Sequence, residues 1–320
     1  MSAADHFDGA AEVAEGFAEA RRQTLPHPGG GSTTARFERL AAIACSDMNI
    51  ARLVEADADA RAIAAELGVG LVDPSAAYGV WAANGGRGLA VTDSGQNSAV
   101  VTGSQSWCGG ASIVERALLV VDVDSRQEII DVEVAGSTID PASWRSDSFG
   151  PTGVATVTFH AARGTRLTPG GGDYANRAGF WHGAVGVAAC WIGGLRGLVD
   201  AHAARWVRSD PHSLAQLGAA AAELAAVESL LVSVGDQIDD DPSGLAAAEQ
   251  RARWFRYVVE RACTRCIDHV NVGGGPEPLT HDAAIVRRTA EMLITIRQSH
   301  GLRDLEPLGL SVVRRCEAEA

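Results

Sequence analysis

Apolar residues change their spacing twice along the chain. Up to about residue 67, alanine, leucine and isoleucine recur every three or four positions, which predicts helices over 9–22, 35–44 and 49–67. From residue 68 to about 172, short β-branched runs separated by Gly, Asp, Ser and Pro turns take their place. Beyond that point the helical spacing returns and persists. The chain is therefore predicted to contain helices, then strands, then helices.

The β-branched runs predict strands over 98–102, 116–123, 128–134 and 154–160. No helical segment separates successive runs, which favours an antiparallel β-barrel or sandwich over a dinucleotide-binding βαβ sheet. No Gly-x-Gly-x-x-Gly motif follows any of these runs. The middle third is accordingly predicted to be a β-barrel domain.

Four long helical segments follow, over 177–207, 211–238, 243–272 and from about 280 to between 300 and 305. Asp210 and Pro211 are typical of an N-cap and a first helical position, and Ser243 is a second candidate N-cap. Long helices with short connections are typical of a four-helix bundle. The predicted fold class is α+β, with a short N-terminal helical domain (1–70), a β-barrel domain (71–172) and a C-terminal bundle (173–320).

Charge excludes several classes of function. The 320 residues carry 27 basic and 40 acidic side chains, a net charge of −13, which argues against nucleic acid as a partner. Every basic residue is arginine, so pyridoxal-phosphate chemistry and the Walker A lysine are excluded.

The apolar stretch 178–195 contains His182 and is followed by Arg196, which predicts a core helix and no membrane partner. Six scattered cysteines and an N-terminus without a signal peptide predict a reduced, cytoplasmic protein.

Three segments resemble motifs of the acyl-CoA dehydrogenase family. Thr102-Gly-Ser-Gln-Ser-Trp-Cys-Gly-Gly-Ala is similar to the strand end whose indole lies against the flavin ring. Arg177-Ala-Gly-Phe-Trp-His-Gly-Ala-Val-Gly resembles the opening of the first bundle helix. Val272-Gly-Gly-Gly-Pro and Val286-Arg-Arg-Thr-Ala resemble a glycine turn and helix start that reach a neighbouring subunit's FAD. The family places a β-barrel between helical domains, as the periodicity predicts here.

The resemblance implies an FAD-dependent oxidoreductase that acts on the CH–CH bond of an acyl thioester. The implied substrate is acyl-CoA or an acyl-carrier protein, the electron acceptor an electron-transfer flavoprotein or oxygen, and the assembly a homodimer or homotetramer. The family's Arg-x-x-Phe-Gly, which contacts the pyrophosphate, appears only as Arg205-Trp-Val-Arg208. The residues expected to bind the cofactor are Trp81, Trp107, Cys108, Gly109, Arg205, Arg208, Gly273, Gly274 and Gly275.

The family's catalytic glutamate is missing. Its usual position falls on Arg297, and the alternative position used by some members holds Asn176. His300, three residues beyond Arg297, is the best-placed substitute base because a neutral imidazole accepts a proton near pH 7. Arg297 and His300 are therefore the predicted catalytic residues. His182 and His281 are weaker candidates, and Asp282 and Glu277 could serve only if they are buried.

Two other functions stay open at this point. A flavin-dependent monooxygenase on the same fold would use a histidine in the region of His300, and a non-catalytic subunit would complete a partner's flavin site.

Cys263 and Cys266 are interpreted as buried thiols on one helix, with no metal site, because a zinc site needs a second ligand pair. The glycines between Gly183 and Gly197 permit close approach of either a neighbouring helix or a flat cofactor.

Overall fold

The computed structural model describes residues 9–95, 97–123, 126–168, 174–207 and 210–319. Within this part of the chain the helices are α1 (Ala10–Ala20), α2 (Thr33–Ser46), α3 (Met48–Glu66), α4 (Ala178–Ala204), α5 (Pro211–Asp240), α6 (Leu245–Gly274), α7 (Pro278–His281), α8 (Ala283–Thr295) and α9 (Leu302–Glu319). The strands are β1 (Tyr78–Trp81), β2 (Leu89–Gly95), β3 (Ser98–Cys108), β4 (Arg116–Val123), β5 (Arg126–Glu133), β6 (Thr138–Asp140) and β7 (Ala155–Arg166). The α+β class and the order of helices, strands and helices are confirmed.

The chain forms two compact units. The first contains the residues up to Leu25 together with Asn49–Phe180, and the second contains Pro26–Met48 together with Trp181 and the residues that follow it. The second unit thus joins α2 to the C-terminal helices. The division into domains 1–70, 71–172 and 173–320 stays a prediction.

The sheet of the first unit is open, so the predicted barrel is only a loose description. Its strand order is β1-β4-β5-β7-β3-β2, with β6 paired to β7, and no pairing of β1 with β2 closes it within the described residues. β1 pairs with β4 in parallel, whereas the other pairs are antiparallel. Parallel strands need a long crossover connection between them. Here the chain segment that contains β2 and β3 is the connection from β1 to β4.

Buried polar side chains fix the core of the first unit. The Asp131 carboxylate is fully buried, accepts a hydrogen bond from the Tyr78 hydroxyl at 2.9 Å and pairs with Arg116 at 2.8 Å. Burial raises the pKa of Tyr78 to about 12. Around this group pack Ala60, Ile63, Leu118, Ile129 and other apolar residues. Breaking such a buried pair leaves an uncompensated charge, which strongly destabilises a protein.

In the second unit, the glycines of α4 allow the helix α2 to lie against it. A Cβ atom at Gly193 would collide with the backbone of Ala41, and one at Gly197 with the Cys45 carbonyl oxygen. At Gly186 the nearest atoms, 3.6 Å from such a Cβ, belong to Phe37 and Leu40 of α2. Helix packing, the first of the two interpretations of these glycines, therefore accounts for Gly193 and Gly197.

The helices of the second unit begin and end close to the predicted positions. Asp210 is the N-cap of α5, because its side chain accepts a hydrogen bond from the Ser213 amide at 2.9 Å. Gly244 rather than Ser243 is the N-cap of α6, and the Asp241 side chain accepts from its amide. The last predicted helix, from about 280 to between 300 and 305, corresponds to α8 and the short turn of helix that follows it. The chain leaves helical geometry at Ser299, and α9 from Leu302 is a further helix that is not predicted from the sequence.

Candidate functional site

Trp107 presents an exposed indole at the end of β3. The pairing of β3 with β7 is irregular between Gln105 and Cys108, and Trp107 has a positive φ of 65°. Such a conformation is strained for a bulky residue and is seen where the surrounding structure imposes it. The bulge turns the side chain outward and leaves it 64% exposed. The first unit therefore presents an exposed aromatic surface at this strand end.

Trp144 holds the Trp107 indole in place. The two rings meet edge to face, with centroids 5.5 Å apart and planes at 83°. Trp144 is itself fixed by its Nε1, which donates a hydrogen bond to the Ser148 carbonyl oxygen at 2.8 Å. Edge-to-face contact is a favoured geometry for aromatic pairs. Sequence reasoning missed Trp144, since it lies in a turn outside every predicted strand.

The other predicted residues of this strand end support it from inside. Trp81 is 3% exposed, and its Nε1 donates to the Gly109 carbonyl oxygen at 3.0 Å. The Cys108 thiol is fully buried and donates to the Gln105 carbonyl oxygen, and burial raises its pKa to about 12. These groups anchor the segment whose exposed member is Trp107.

A cleft of about 220 Å³ lies in the second unit at the C-terminal end of α4. It brings Arg205 and Gly274 together. These two residues come from separate segments of the chain, and both are predicted from the sequence to bind a cofactor. The described residues that line it are His202, Arg205, Trp206, Val207, Gly274, Glu277, Pro278, His281 and Asp282. Arg208, the other predicted phosphate contact, lies outside the described residues.

The Asp282 carboxylate is held from two sides at the edge of this cleft. One oxygen pairs with the Arg205 guanidinium. The other caps α8 by accepting hydrogen bonds from the amides of Ala284 and Ile285 at 3.0 and 3.1 Å. A carboxylate at a helix N-terminus is stabilised both as an N-cap and by the helix dipole.

His202 is a buried histidine in the wall of the cleft. It is 1% exposed, and neither ring nitrogen has a hydrogen-bond partner. Burial lowers its pKa, and the nearby Asp282 opposes that shift. The imidazole is therefore held in its neutral form at pH 7. Neighbouring Trp206 also has an indole nitrogen without a partner. Sequence reasoning did not single out His202, because it sits at the end of a long apolar helix.

The predicted glycine turn contributes Gly274 to the lining of the cleft. A Cβ atom at Gly273 would lie 2.6 Å from Cη2 of Trp206, and one at Gly274 would lie 3.3 Å from Nδ1 of His202. Gly275 ends α6 with a positive φ of 75°, and its amide donates to the Asn271 carbonyl oxygen at 2.9 Å. The small residues thus let the end of α6 approach Trp206 and His202 closely.

The predicted catalytic residues lie next to α6 and α9. Arg297 donates to the Glu260 carboxylate at 2.6 Å, so the position of the family's base carries a cation that is already paired. The His300 side chain is 67% exposed, and its Nδ1 lies 3.4 Å from Oδ1 of Asp304. Asp304 also accepts from the His300 amide at 3.2 Å and thereby holds the residue at the start of α9. A carboxylate beside an imidazole is the usual way to orient a catalytic base.

Comparison with solved structures identifies the architecture. FMN-bound TdsC from Paenibacillus sp. A11-2 has a TM-score of 0.76 at 14% identity, covering 97% of this chain and 98% of that one. Another structure of TdsC, a dibenzothiophene monooxygenase, has a TM-score of 0.74 at 15% identity, with 97% of each chain covered. Glutaryl-CoA dehydrogenase from Mycobacterium smegmatis, in complex with FADH2, has a TM-score of 0.73 at 13% identity over 96% and 94%. The chain has the acyl-CoA dehydrogenase fold. No family model and no curated protein matches it.

The acyl-CoA dehydrogenase fold confirms the resemblance read from the three sequence segments at the level of architecture. At 13–15% identity a structural likeness carries the fold and not the chemistry, because one fold supports many unrelated functions. The roles of Trp107, Arg205, Arg297 and His300 have to be argued from their own surroundings.

Proposed function

We propose that the protein is a flavin-dependent oxidoreductase. The observation that carries the proposal is the exposed Trp107 indole at the very strand end that resembles the family's flavin-contacting motif. It stands in a fold whose neighbours include an FMN-bound monooxygenase and an FADH2-bound dehydrogenase. A flavin, when bound, supplies the redox chemistry, and the protein supplies binding, orientation and electrostatics.

The residues of the strand end fit a flat aromatic ring. Trp107 provides a planar apolar surface, Trp144 fixes its orientation, and the buried Trp81 keeps the following turn in place through Gly109. Fixing the wall in advance reduces the entropy that is lost on binding. The phosphate end of a dinucleotide fits less well, because Arg205 already pairs with Asp282. The resemblance implies FAD as the flavin, with Arg205 and Gly274 as its contacts at the cleft.

Two reactions are compatible with this proposal. The first is dehydrogenation of the CH–CH bond of an acyl thioester, which requires a base to remove the α-proton. The second is monooxygenation by a flavin-dependent monooxygenase. Arg297 favours monooxygenation. It stands where the family has its base, and a guanidinium cation paired with Glu260 does not accept the α-proton that dehydrogenation must remove. In either reaction His300 would hold or move the proton at Nε2, with Asp304 beside its Nδ1.

The partners follow from the reaction. Dehydrogenation takes acyl-CoA or an acyl-carrier protein and passes electrons to an electron-transfer flavoprotein or to oxygen, whereas monooxygenation consumes oxygen. The resemblance further implies a homodimer or homotetramer, and the sparse cysteines predict a cytoplasmic location. A third function, a non-catalytic subunit that completes a partner's flavin site, has no separate observation in its favour.

The flavin content of the purified protein tests the proposal. We expect the protein to bind flavin, with quenching of flavin fluorescence on titration. Reduction of the bound flavin by an acyl-CoA under anaerobic conditions supports the dehydrogenase. Transfer of an oxygen atom from O2 to an added substrate, measured with externally reduced flavin and above a control without protein, supports the monooxygenase. His300→Ala should abolish turnover and leave flavin affinity unchanged. Absence of binding by any flavin would refute the proposal.

A further inference from the structure

Two side chains that line the cleft at the end of α4 contain polar atoms without partners. Neither ring nitrogen of the buried His202 has a hydrogen-bond partner within the described part of the chain. The same holds for the buried indole Nε1 of Trp206. A buried polar group without a partner costs stability, so each one calls for an explanation. Because both side chains line the same cleft, a ligand bound there would supply the partners that these atoms lack.

The turn that ends α4 keeps these two side chains close together. The Arg205 amide donates to the His202 carbonyl oxygen at 3.1 Å. The Trp206 amide donates to the carbonyl oxygen of Ala203 at 3.2 Å. The chain is therefore still coiled where it leaves the helix, and side chains four residues apart on such a coil are neighbours.

The hydrogen-bonding capacity of the two side chains matches a hydroxyl group. Burial lowers the pKa of His202, so the imidazole is neutral near pH 7 and has one donor and one acceptor nitrogen. The indole of Trp206 is a donor only. A hydroxyl group both donates and accepts, so it can pair with the imidazole and the indole at once. An ammonium group has only donors and would leave the indole N–H unpaired.

The size and the charge of the cleft narrow the ligand further. Its volume is about 220 Å³, and a cavity of roughly 150 Å³ is enough for benzene. Val207 and Pro278 contribute apolar surface to the lining. Glu277 and Asp282 contribute two carboxylates, whereas Arg205, the one arginine among the described lining residues, is paired with Asp282. An anionic ligand would therefore be repelled, and an uncharged aromatic ring is favoured.

We propose that this cleft is a binding site for a small uncharged phenol, with its hydroxyl between His202 and Trp206. The hydroxyl would donate to a ring nitrogen of His202 and accept from Nε1 of Trp206, and the ring would contact Val207 and Pro278. A phenol with a pKa of about 10, like that of tyrosine, is uncharged at pH 7. The inference goes beyond the proposed function and does not rest on it, because the described residues that line the cleft all belong to the second unit.

Three fluorinated probes, titrated into the purified full-length protein at pH 7 and followed by fluorine NMR, test the site. The first is para-fluorophenol, for which we expect a dissociation constant on the order of 1 mM or lower, ordinary for so small a ligand. Fluorobenzene lacks the hydroxyl and should bind about three- to tenfold more weakly, the ratio that corresponds to one neutral hydrogen bond. The third probe, para-fluorobenzoate, carries a negative charge and should bind more weakly still.

Two variants test the hydrogen bonds separately. His202→Leu removes both ring nitrogens, so its affinity for para-fluorophenol should fall to the affinity of the wild type for fluorobenzene. Trp206→Phe keeps an aromatic ring and removes only the Nε1 donor, so its affinity for para-fluorophenol should fall about threefold. In both variants the affinity for fluorobenzene should stay within about twofold of the wild type. Trp206→Phe also keeps the inference testable if His202→Leu does not fold.

His182→Leu is the matched control. His182 lies on the same helix and is 2% exposed, as against 1% for His202, but its Nε2 lies 2.9 Å from the Pro242 carbonyl oxygen and donates to it. It is not among the residues that line the cleft. The variant should keep the wild-type affinity for para-fluorophenol. Because it loses a hydrogen bond within the protein, its melting temperature should fall, whereas His202→Leu loses no such bond among the described residues.

The outcomes separate this inference from the proposed function. No detectable binding of para-fluorophenol, or equal affinities for para-fluorophenol and fluorobenzene, would overturn the inference. So would an unchanged affinity in His202→Leu. Release of para-fluorophenol on addition of FAD would also overturn it, because the cleft would then belong to a dinucleotide site. A preference for para-fluorophenol that His202→Leu abolishes and His182→Leu retains supports the inference. Flavin binding is measured separately and decides the proposed function alone.

Discussion

The strand end around Trp107 and the cleft around Asp282 both contain residues that the sequence predicts to bind a cofactor, yet they differ in what they leave for a ligand. Trp107 is 64% exposed, and the side chains near it serve to orient it. In the cleft the predicted cation, Arg205, is bound by a carboxylate of the same chain. The comparison teaches that a motif specifies which groups are present, whereas their internal partners decide whether those groups are available.

Removing the Trp107 indole should have the largest effect on ligand binding. Trp107→Ala deletes the proposed stacking surface, and since stacking on an aromatic side chain is worth about 1–3 kcal/mol, flavin affinity should fall roughly ten- to a hundredfold. Because the side chain is mostly exposed, the melting temperature should change little. Titration with flavin measures the effect.

Trp144→Phe is the control for that variant. It keeps a ring against Trp107 and loses only the hydrogen bond from Nε1 to the Ser148 carbonyl oxygen. Its flavin affinity should fall clearly less than that of Trp107→Ala. An unchanged affinity in Trp107→Ala would show that the strand end is not the flavin surface.

Gly273 and Gly274, at the end of α6, should also matter for stability. Gly273→Ala places a methyl group 2.6 Å from the Trp206 indole, so it should lower the free energy of unfolding by about 1–3 kcal/mol, as expected for overpacking. Gly274→Ala meets its nearest atom at 3.3 Å and should cost less. Urea unfolding of both variants checks this order. Equal or negligible losses would contradict the close packing of α6 against Trp206.

Much of the fold could be predicted from the sequence, because periodicity reports which face of each element is buried. The helices α4 to α6 begin within two or three residues of their predicted positions. None of β1, β2 and β6 is predicted from the sequence. β1 and β6 have only four and three residues, too few for an alternation to show, whereas β2 has seven and was missed. The open sheet could not be predicted, because closure depends on pairing between strands distant in sequence.

The candidate site was less predictable than the fold. Trp107 was found through its motif, but its exposure depends on a bulge and a positive φ that no local pattern specifies. The ion pair between Arg205 and Asp282 joins residues 77 positions apart, so no spacing rule could reveal that the arginine is occupied. Whether His300 acts as the base stays a prediction.

The buried His202 should make stability depend on pH. Burial lowers the pKa of His202 in the folded protein below its pKa in the unfolded chain. Between these two pKa values the unfolded state binds more protons, so the free energy of unfolding rises with pH. As the pH falls from about 7.5 to 5.5, the wild type should lose more stability than His202→Asn. Urea unfolding at each pH measures this. His281→Asn, at an exposed position of the same cleft, should follow the wild type, and parallel losses in all three proteins would contradict the assignment.

Thiol labelling should give the smallest effect. It tests whether Cys108 is buried although the residue before it in the chain, Trp107, is exposed. Cys108 directly follows the exposed Trp107, yet its thiol is fully buried and its pKa is raised to about 12, so it should not react in the native protein. Cys316 is exposed and should react first with an aromatic disulfide reagent. Cys316→Ser should remove the fast phase of thiol labelling. Cys108→Ser should leave that phase intact and lower only the number of thiols that react after the protein is unfolded. Loss of the fast phase in Cys108→Ser would mean that the strand end opens in solution, and the fixed surface proposed for Trp107 would then have to be given up.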